Sequence, residues 1–208
     1  MIIVHHLNDS RSQRILWLLE DLGLPYEIRH HTRDPKTRFA PPSLKAVHAL
    51  GKAPAITDGG VTIAESGAII DYIIRRHGNG RLQPPAHTAE YDKYQEWLHY
   101  AEGSAVFPLL LKMYLGRLGD AALPLAPRVD GEIANHLGYI NGALAGRQWL
   151  MGDTFSGADV QLSFIGEFAG MQGVRAPYAH LEAWIKRCQA RPAYLKAVDR
   201  GGPYRFAV

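Results

Sequence analysis

Four short segments stand out by residue type and spacing, and three of them carry side chains that suit the capture of a small charged molecule. Ser10-Arg11-Ser12-Gln13-Arg14 stands where a first strand's loop would enter a first helix. A hydroxyl there, near the positive end of the helix, can stabilise a bound anion or thiolate. Ala64-Glu65-Ser66-Gly67 precedes a second apolar helix. The amides at that helix start favour a carboxylate, and Glu65 adds a negative charge for an ammonium group, so together they suit an α-amino acid head. Gly51-Lys52-Ala53-Pro54-Ala55-Ile56 opens an apolar strand with proline, which cannot donate to a sheet ladder and so stands at a strand start or an edge. If the Ala53–Pro54 bond is cis, the Ala53 amide and carbonyl form a free edge for an extended peptide, with the Lys52 cation beside it. The fourth segment, Phe155-Ser156-Gly157-Ala158-Asp159-Val160, reads as structural: Ser156 caps a helix, Asp159 reaches back to its amide, and Phe155 and Val160 form a hydrophobic staple. Ser10, Ser12 and Ser66 also have a plain reading as helix caps, and Pro54 as a turn. No Asp-His-Ser constellation surrounds Ser10, which argues against a serine hydrolase.

The elements that must position these segments fall into two halves. Ile2-Ile3-Val4 and Tyr26–His30 read as strands, and residues 10–22 as a helix stopped by Gly23. Ala55–Thr57 and Val61–Ile63 flank Asp58-Gly59-Gly60, a hairpin signal, and Ser66–Arg76 returns to helical spacing. The order βαβ, hairpin, α makes a small sheet domain over residues 1–80. A breaker-rich linker, 81–87, precedes an all-helical domain over 88–208. Within it Pro108 is expected to kink or break a long helix.

The 208 residues are 47% hydrophobic and 21% charged, an ordinary globular mix that excludes disorder as an overall description. No apolar stretch approaches the length of a membrane-spanning helix, and nothing marks a signal peptide. The single cysteine, Cys188, cannot form an internal disulfide, so a reducing cytoplasm is the expected location. The net charge of +3 is scattered, without the basic–aromatic patch that nucleic acid requires.

Taken in order, DSRSQR, GKAPAI, AESGAI and FSGADV resemble the glutathione transferase family across essentially the whole chain, and WLLEDLGLPYE resembles its cytosolic bacterial and fungal members. The resemblance implies a thioredoxin-like α/β domain holding glutathione, an all-α domain supplying a pocket for a hydrophobic second substrate, and a homodimer. It implies that Ser10 hydrogen-bonds the glutathione sulfur, with Ser12 and Arg11 as alternatives. By the same resemblance Ala53, before a cis Pro54, pairs with the cysteinyl backbone, Lys52 lies near the glycyl end, and Glu65 and Ser66 hold the γ-glutamyl ammonium and carboxylate. Tyr100 and Phe107 are candidates for lining the second-substrate pocket.

A free thiol of pKa ~8.5 is only ~3% thiolate at pH 7, and lowering it two units needs ~2.7 kcal/mol. One charge-assisted hydrogen bond of ~1.5–3 kcal/mol and a helix terminus of ~0.3–1 kcal/mol suffice. No metal is required. The resulting thiolate can attack an electrophilic carbon, as in detoxifying conjugation, or a peroxide oxygen. The alternative is a non-catalytic glutathione-binding or regulatory protein on the same fold. Ser-Arg-Ser at this place departs from the Ser-Ser-Cys type segment of the isomerase branch, and no cysteine near the loop supports disulfide or dehydroascorbate reduction. His5-His6 and His30-His31 lie in or beside strands whose neighbouring residues face opposite ways, an arrangement unsuited to a metal site.

Overall fold

The computed structural model describes residues 1–207 and divides into two compact units, residues 1–83 with the C-terminal segment from Gln189, and Pro84–Cys188. In the first unit, β1 (Ile2–Leu7), β2 (Tyr26–His31), β3 (Ala55–Asp58) and β4 (Val61–Ala64) form one sheet in the order β2-β1-β3-β4. β1 and β2 are parallel, and β3 runs antiparallel to both β1 and β4. Helix α1 (Gln13–Leu22) buries Ile15, Leu16, Leu18 and Leu19 fully. Each such side chain contributes roughly 1.5–3 kcal/mol when removed from water. α1 ends at Gly23 in the left-handed region, where the Gly23 amide donates to Glu20 and the Leu24 amide to Leu19. A five-residue helix α2 (Ser43–Val47) follows β2, and α3 (Ser66–His77) buries Ile69, Ile70, Ile73 and Ile74. With α1 and α3 these strands make the thioredoxin-like arrangement.

The second unit is helical: α4 (Ala89–Tyr100), α5 (Val106–Leu115), α6 (Ala126–Ala143), α7 (Gly157–Met171) and α8 (Ala179–Gln189, whose last residue belongs to the first unit). α7 is its centre, buried along its whole length from Gly157 to Ala169. The helix that Pro108 was expected to break instead widens into a π-helical turn, Ala101–Ala105, and resumes as α5 with Pro108 as its third residue. The wide turn lies directly ahead of the pyrrolidine ring, where a proline's missing amide and bulk would otherwise disrupt an α-helix.

The helical segment expected to be one domain over 88–208 is divided. Pro192 closes α8 and, at a helix's first position, opens α9 (Pro192–Gly201). α9 packs on α1 within the first unit. Tyr194 meets Trp17 edge-on at 5.2 Å, Arg191 pairs with Asp21, and Lys196 and Arg200 both reach Glu20 at 2.7 Å. The contact is close at Gly201, where a Cβ would meet Gln13 Oε1 and Leu16 Cδ1 at 2.9 Å, so those side chains would have to shift to admit one.

Candidate functional site

Strand register gathers three of the four segments. In the antiparallel β1–β3 pair His5 faces Ala55, and Ala55 faces Ala64 of β4. The chain therefore leaves β1 towards Ser10, enters β3 from Ala53–Pro54, and leaves β4 towards Glu65 and Ser66, all at one end of the sheet. The Ala53–Pro54 peptide is cis, Ala53 is half-buried and Lys52 is exposed.

Ser10 and Ser12 are both buried, but their hydrogen bonds differ. The Ser12 hydroxyl accepts the Leu7 amide at 3.1 Å and lies 2.9 Å from His6 Nδ1 and 3.2 Å from the Leu7 carbonyl. Burial, and then the neighbouring His30, push His6 down to about 4, so its ring is neutral near pH 7. That ring donates to the Gly201 carbonyl, which leaves Nδ1 to accept the Ser12 proton. Ser12 is thus committed to the interior. Ser10 Oγ accepts the Ser12 amide at 3.1 Å and touches Ser12 Oγ at 2.7 Å. With the Ser12 proton given to His6, the Ser10 proton is donated to Ser12 Oγ, and turning it towards a ligand exchanges that bond. Neither serine side chain caps α1. Arg11, between them, is half-buried.

At the other segment Glu65, not Ser66, is the cap residue of α3, and its side chain makes no capping bond. Glu65 holds φ at 71°, a conformation that costs a non-glycine residue roughly 1–3 kcal/mol and is concentrated at ligand-binding positions. Its carboxylate is exposed, while Ser66 is buried as the first helical residue. The uncapped amides of the first turn give this end of α3 the character of an anion site.

Three features beneath the site carried no signal in local patterning. Arg14, 2% exposed, donates from Nη1 to Ser66 Oγ at 3.0 Å. Asp9, at φ 49°, holds Arg38 at 2.6 Å and Arg205 at 3.0 Å. Burial alone would raise the Asp9 carboxyl; the Arg205 amide and the Arg38 and Arg205 side chains outweigh it and hold it below the usual range. Arg33 adds bonds to the carbonyls of Asn8 and Asp9. A clue to these contacts lay in the arginine count, but not in any spacing.

The remaining expected residues lie in the helical unit. The Tyr100 hydroxyl is 2.7 Å from His136 Nδ1 and its ring packs against Trp97 and Tyr139, whereas Phe107 is 65% exposed. In the fourth segment the capping box is complete. Ser156 Oγ accepts the Ala158 amide, and the Ser156 amide donates to Asp159 Oδ2 at 2.9 Å. Asp159 also accepts from the Leu150 amide and Trp184 Nε1. The histidines pair across strands, His5 with His31 and His6 with His30, and no group of three or more metal-ligating side chains is found among the described residues. No helix among them is long and apolar enough to cross a membrane.

Residues 4–85 match the glutathione S-transferase N-terminal domain and residues 108–192 the C-terminal domain. The chain is 33% identical to glutathione S-transferase 3 of Schizosaccharomyces pombe, over 96% of this chain and 88% of that one. A glutathione S-transferase structure from Actinobacillus pleuropneumoniae superposes with a TM-score of 0.89 at 34% identity, covering 99% of this chain and 94% of that one. A family member from Pseudomonas fluorescens, solved with two glutathione molecules bound, has a TM-score of 0.80 at 25% identity, with 95% of this chain and 92% of that one covered. Sequence and fold agree, and the chain belongs to the glutathione transferase family as a glutathione transferase.

Proposed function

We propose that this transferase activates glutathione as a thiolate through Ser10 and transfers it to hydrophobic electrophiles. The observation that carries the reading is the division of labour between the two serines. Ser12 is tied to His6 and Leu7, while Ser10 accepts the Ser12 amide and donates its proton to Ser12 Oγ, a bond that a thiolate would take over. A hydroxyl that already accepts a hydrogen bond is a stronger donor, because chained hydrogen bonds polarise one another. Ala53 would pair with the cysteinyl backbone, Lys52 would lie near the glycyl carboxylate, and Glu65 and Ser66 with the α3 amides would hold the γ-glutamyl ammonium and carboxylate.

The bound thiol loses its proton to solvent, and the thiolate, stabilised by the Ser10 O–H, attacks an electrophilic carbon. A C–S bond forms as the leaving group departs with its electron pair. The same thiolate can attack a peroxide oxygen, releasing an alkoxide; a second glutathione then converts the sulfenic product to the disulfide and water. The chemistry asks no metal of the protein. For the second substrate Phe107 is the stronger candidate contact, since its ring is exposed while the Tyr100 hydroxyl is engaged by His136. The working form is read as a homodimer in a reducing cytoplasm, on the family resemblance and the lone, buried Cys188.

An ultraviolet difference titration with glutathione tests the reading. A saturable thiolate signal near pH 7 that is absent with S-methylglutathione and lost in Ser10→Ala is expected. Saturable binding with a thiolate signal unchanged in Ser10→Ala would move the role to Arg11 or another group.

A further inference from the structure

We infer that the C-terminal tail of the first unit, Gly201 to Phe206, is a positioning element for the Ser10 hydroxyl, with Arg205 and Asp9 as its working pair. This rests on the reading of Ser10 as the sulfur contact. Asp9 immediately precedes Ser10 and sits at φ 49°, a left-handed conformation uncommon outside glycine, asparagine and aspartate, and contacts to its side chain hold it there. The tail supplies that hold twice. The Arg205 amide donates to Asp9 Oδ1 at 3.1 Å, and Arg205 Nε reaches Asp9 Oδ2 at 3.0 Å. Arg38 meets the same Oδ2 from the segment after β2, and Arg33 binds the Asn8 and Asp9 carbonyls.

The tail is itself anchored. Tyr204 and Phe206 are buried with ring centroids 5.1 Å apart, and the Phe206 carbonyl accepts from Gln189 Nε2 at 3.3 Å. At its start, the Gly201 carbonyl fixes the His6 ring that takes the Ser12 proton. The tail therefore braces both flanks of Ser10, Asp9 before it and Ser12 after it. A brace of this kind sets the direction of the Ser10 O–H, and misplacement of a catalytic group by about 1 Å costs on the order of a hundredfold in rate.

The Arg205 side chain is 61% exposed, so Arg205→Ala removes no core packing. In the full-length enzyme, the pKa of bound glutathione, followed by thiolate absorbance, is expected to rise by about half a unit or more in Arg205→Ala. The glutathione Kd should change less than about threefold and the melting temperature by no more than about 2 °C. Arg205→Lys should recover part of the shift by restoring the cation. In a Ser10→Ala background Arg205→Ala should add nothing. An unchanged pKa in Arg205→Ala, while Ser10→Ala raises it, would overturn the tail's role and leave the Ser10 reading standing. Additive shifts would also overturn it, since the arginine would then act on the sulfur directly. No shift in Ser10→Ala would remove the Ser10 reading itself. Asp9→Asn provides the same measurement from the other partner, because asparagine tolerates the left-handed backbone but carries no charge for Arg205.

Discussion

The guanidinium of Arg14 and the hydroxyl of Ser66 meet at 3.0 Å, 52 positions apart in the chain, and join the first turn of α1 to the first residue of α3. Both groups are buried. The bond links the helix behind Ser10 to the helix start proposed to hold the γ-glutamyl carboxylate, so the cysteinyl and γ-glutamyl parts of a glutathione bound as proposed would rest on helices that are directly tied. Lysine cannot reproduce the planar fork of arginine. Arg14→Lys is therefore expected to weaken glutathione binding about tenfold, or ~1.4 kcal/mol, by isothermal titration calorimetry. Unaltered affinity would show that Ser66 needs no support from below.

On the proposed role of Ser10, removing its hydroxyl deletes one charge-assisted hydrogen bond, of about 1.5–3 kcal/mol. Ser10→Ala should raise the bound thiol pKa by about one to two units and lower turnover near pH 7 about tenfold or more, with glutathione affinity nearly intact. The pH profile of kcat/KM checks the shift, and a profile superimposable on that of the unaltered enzyme would reject it.

Glu65 offers an exposed carboxylate at a strained position. Glu65→Gln should weaken glutathione binding about tenfold by removing the charge proposed to meet the ammonium, while the KM for an apolar electrophile stays within about twofold. Equal losses for both substrates would indicate a damaged fold instead of a lost contact.

Asp159 serves stability. It accepts hydrogen bonds from the Ser156 and Leu150 amides and from Trp184, all buried. Asp159→Asn keeps one acceptor and sacrifices the other, and should lower stability by about 2–4 kcal/mol in denaturant titration, with kcat of the folded enzyme little changed. The pH dependence has a definite sign. Burial, against the pull of those donors, raises the carboxyl from 3.8 to about 6. A raised acid binds its proton more tightly in the native state, so its contribution is full below the unfolded pKa and is lost as pH rises through the folded one. The stability gap between the native protein and Asp159→Asn should therefore widen on acidification from pH 7 to pH 4. A gap that narrows over that interval would mean the carboxylate is the form the fold prefers.

The sheet strands, the Asp58-Gly-Gly hairpin, the Gly23 stop and the Ser156–Asp159 box were all legible because each is a local pattern within a few residues. The segments at Ser10, Ala53 and Glu65 were visible for the same reason, although the cap expected at Ser66 falls on Glu65. The sequence put Ser10 ahead of Ser12 and Arg11 on resemblance alone; the support from the Ser12–His6 contact, six residues apart, was not legible in it. Arg14 read as one more charge on a helix, yet it is buried; a charge has no periodicity that announces its partner. The division of the helical half escaped for a related reason. Tyr194, Ala197 and Gly201 mark an apolar face on α9, but a face does not say which helix it will meet, and the ion pairs to Glu20 and Asp21 span about 170 to 180 positions of chain.

The hairpin has a practical consequence. Since the three segments proposed to hold glutathione all lie at one end of the sheet, the β3–β4 turn at Gly59 and Gly60 lies at the other, a strand's length of roughly 10 Å away. Both glycines hold positive φ and have open space where a side chain would stand. Lengthening that turn with a short flexible loop, bearing a dye or a surface tether, gives a means of attaching the enzyme to a support while leaving its glutathione-facing edge open to solvent.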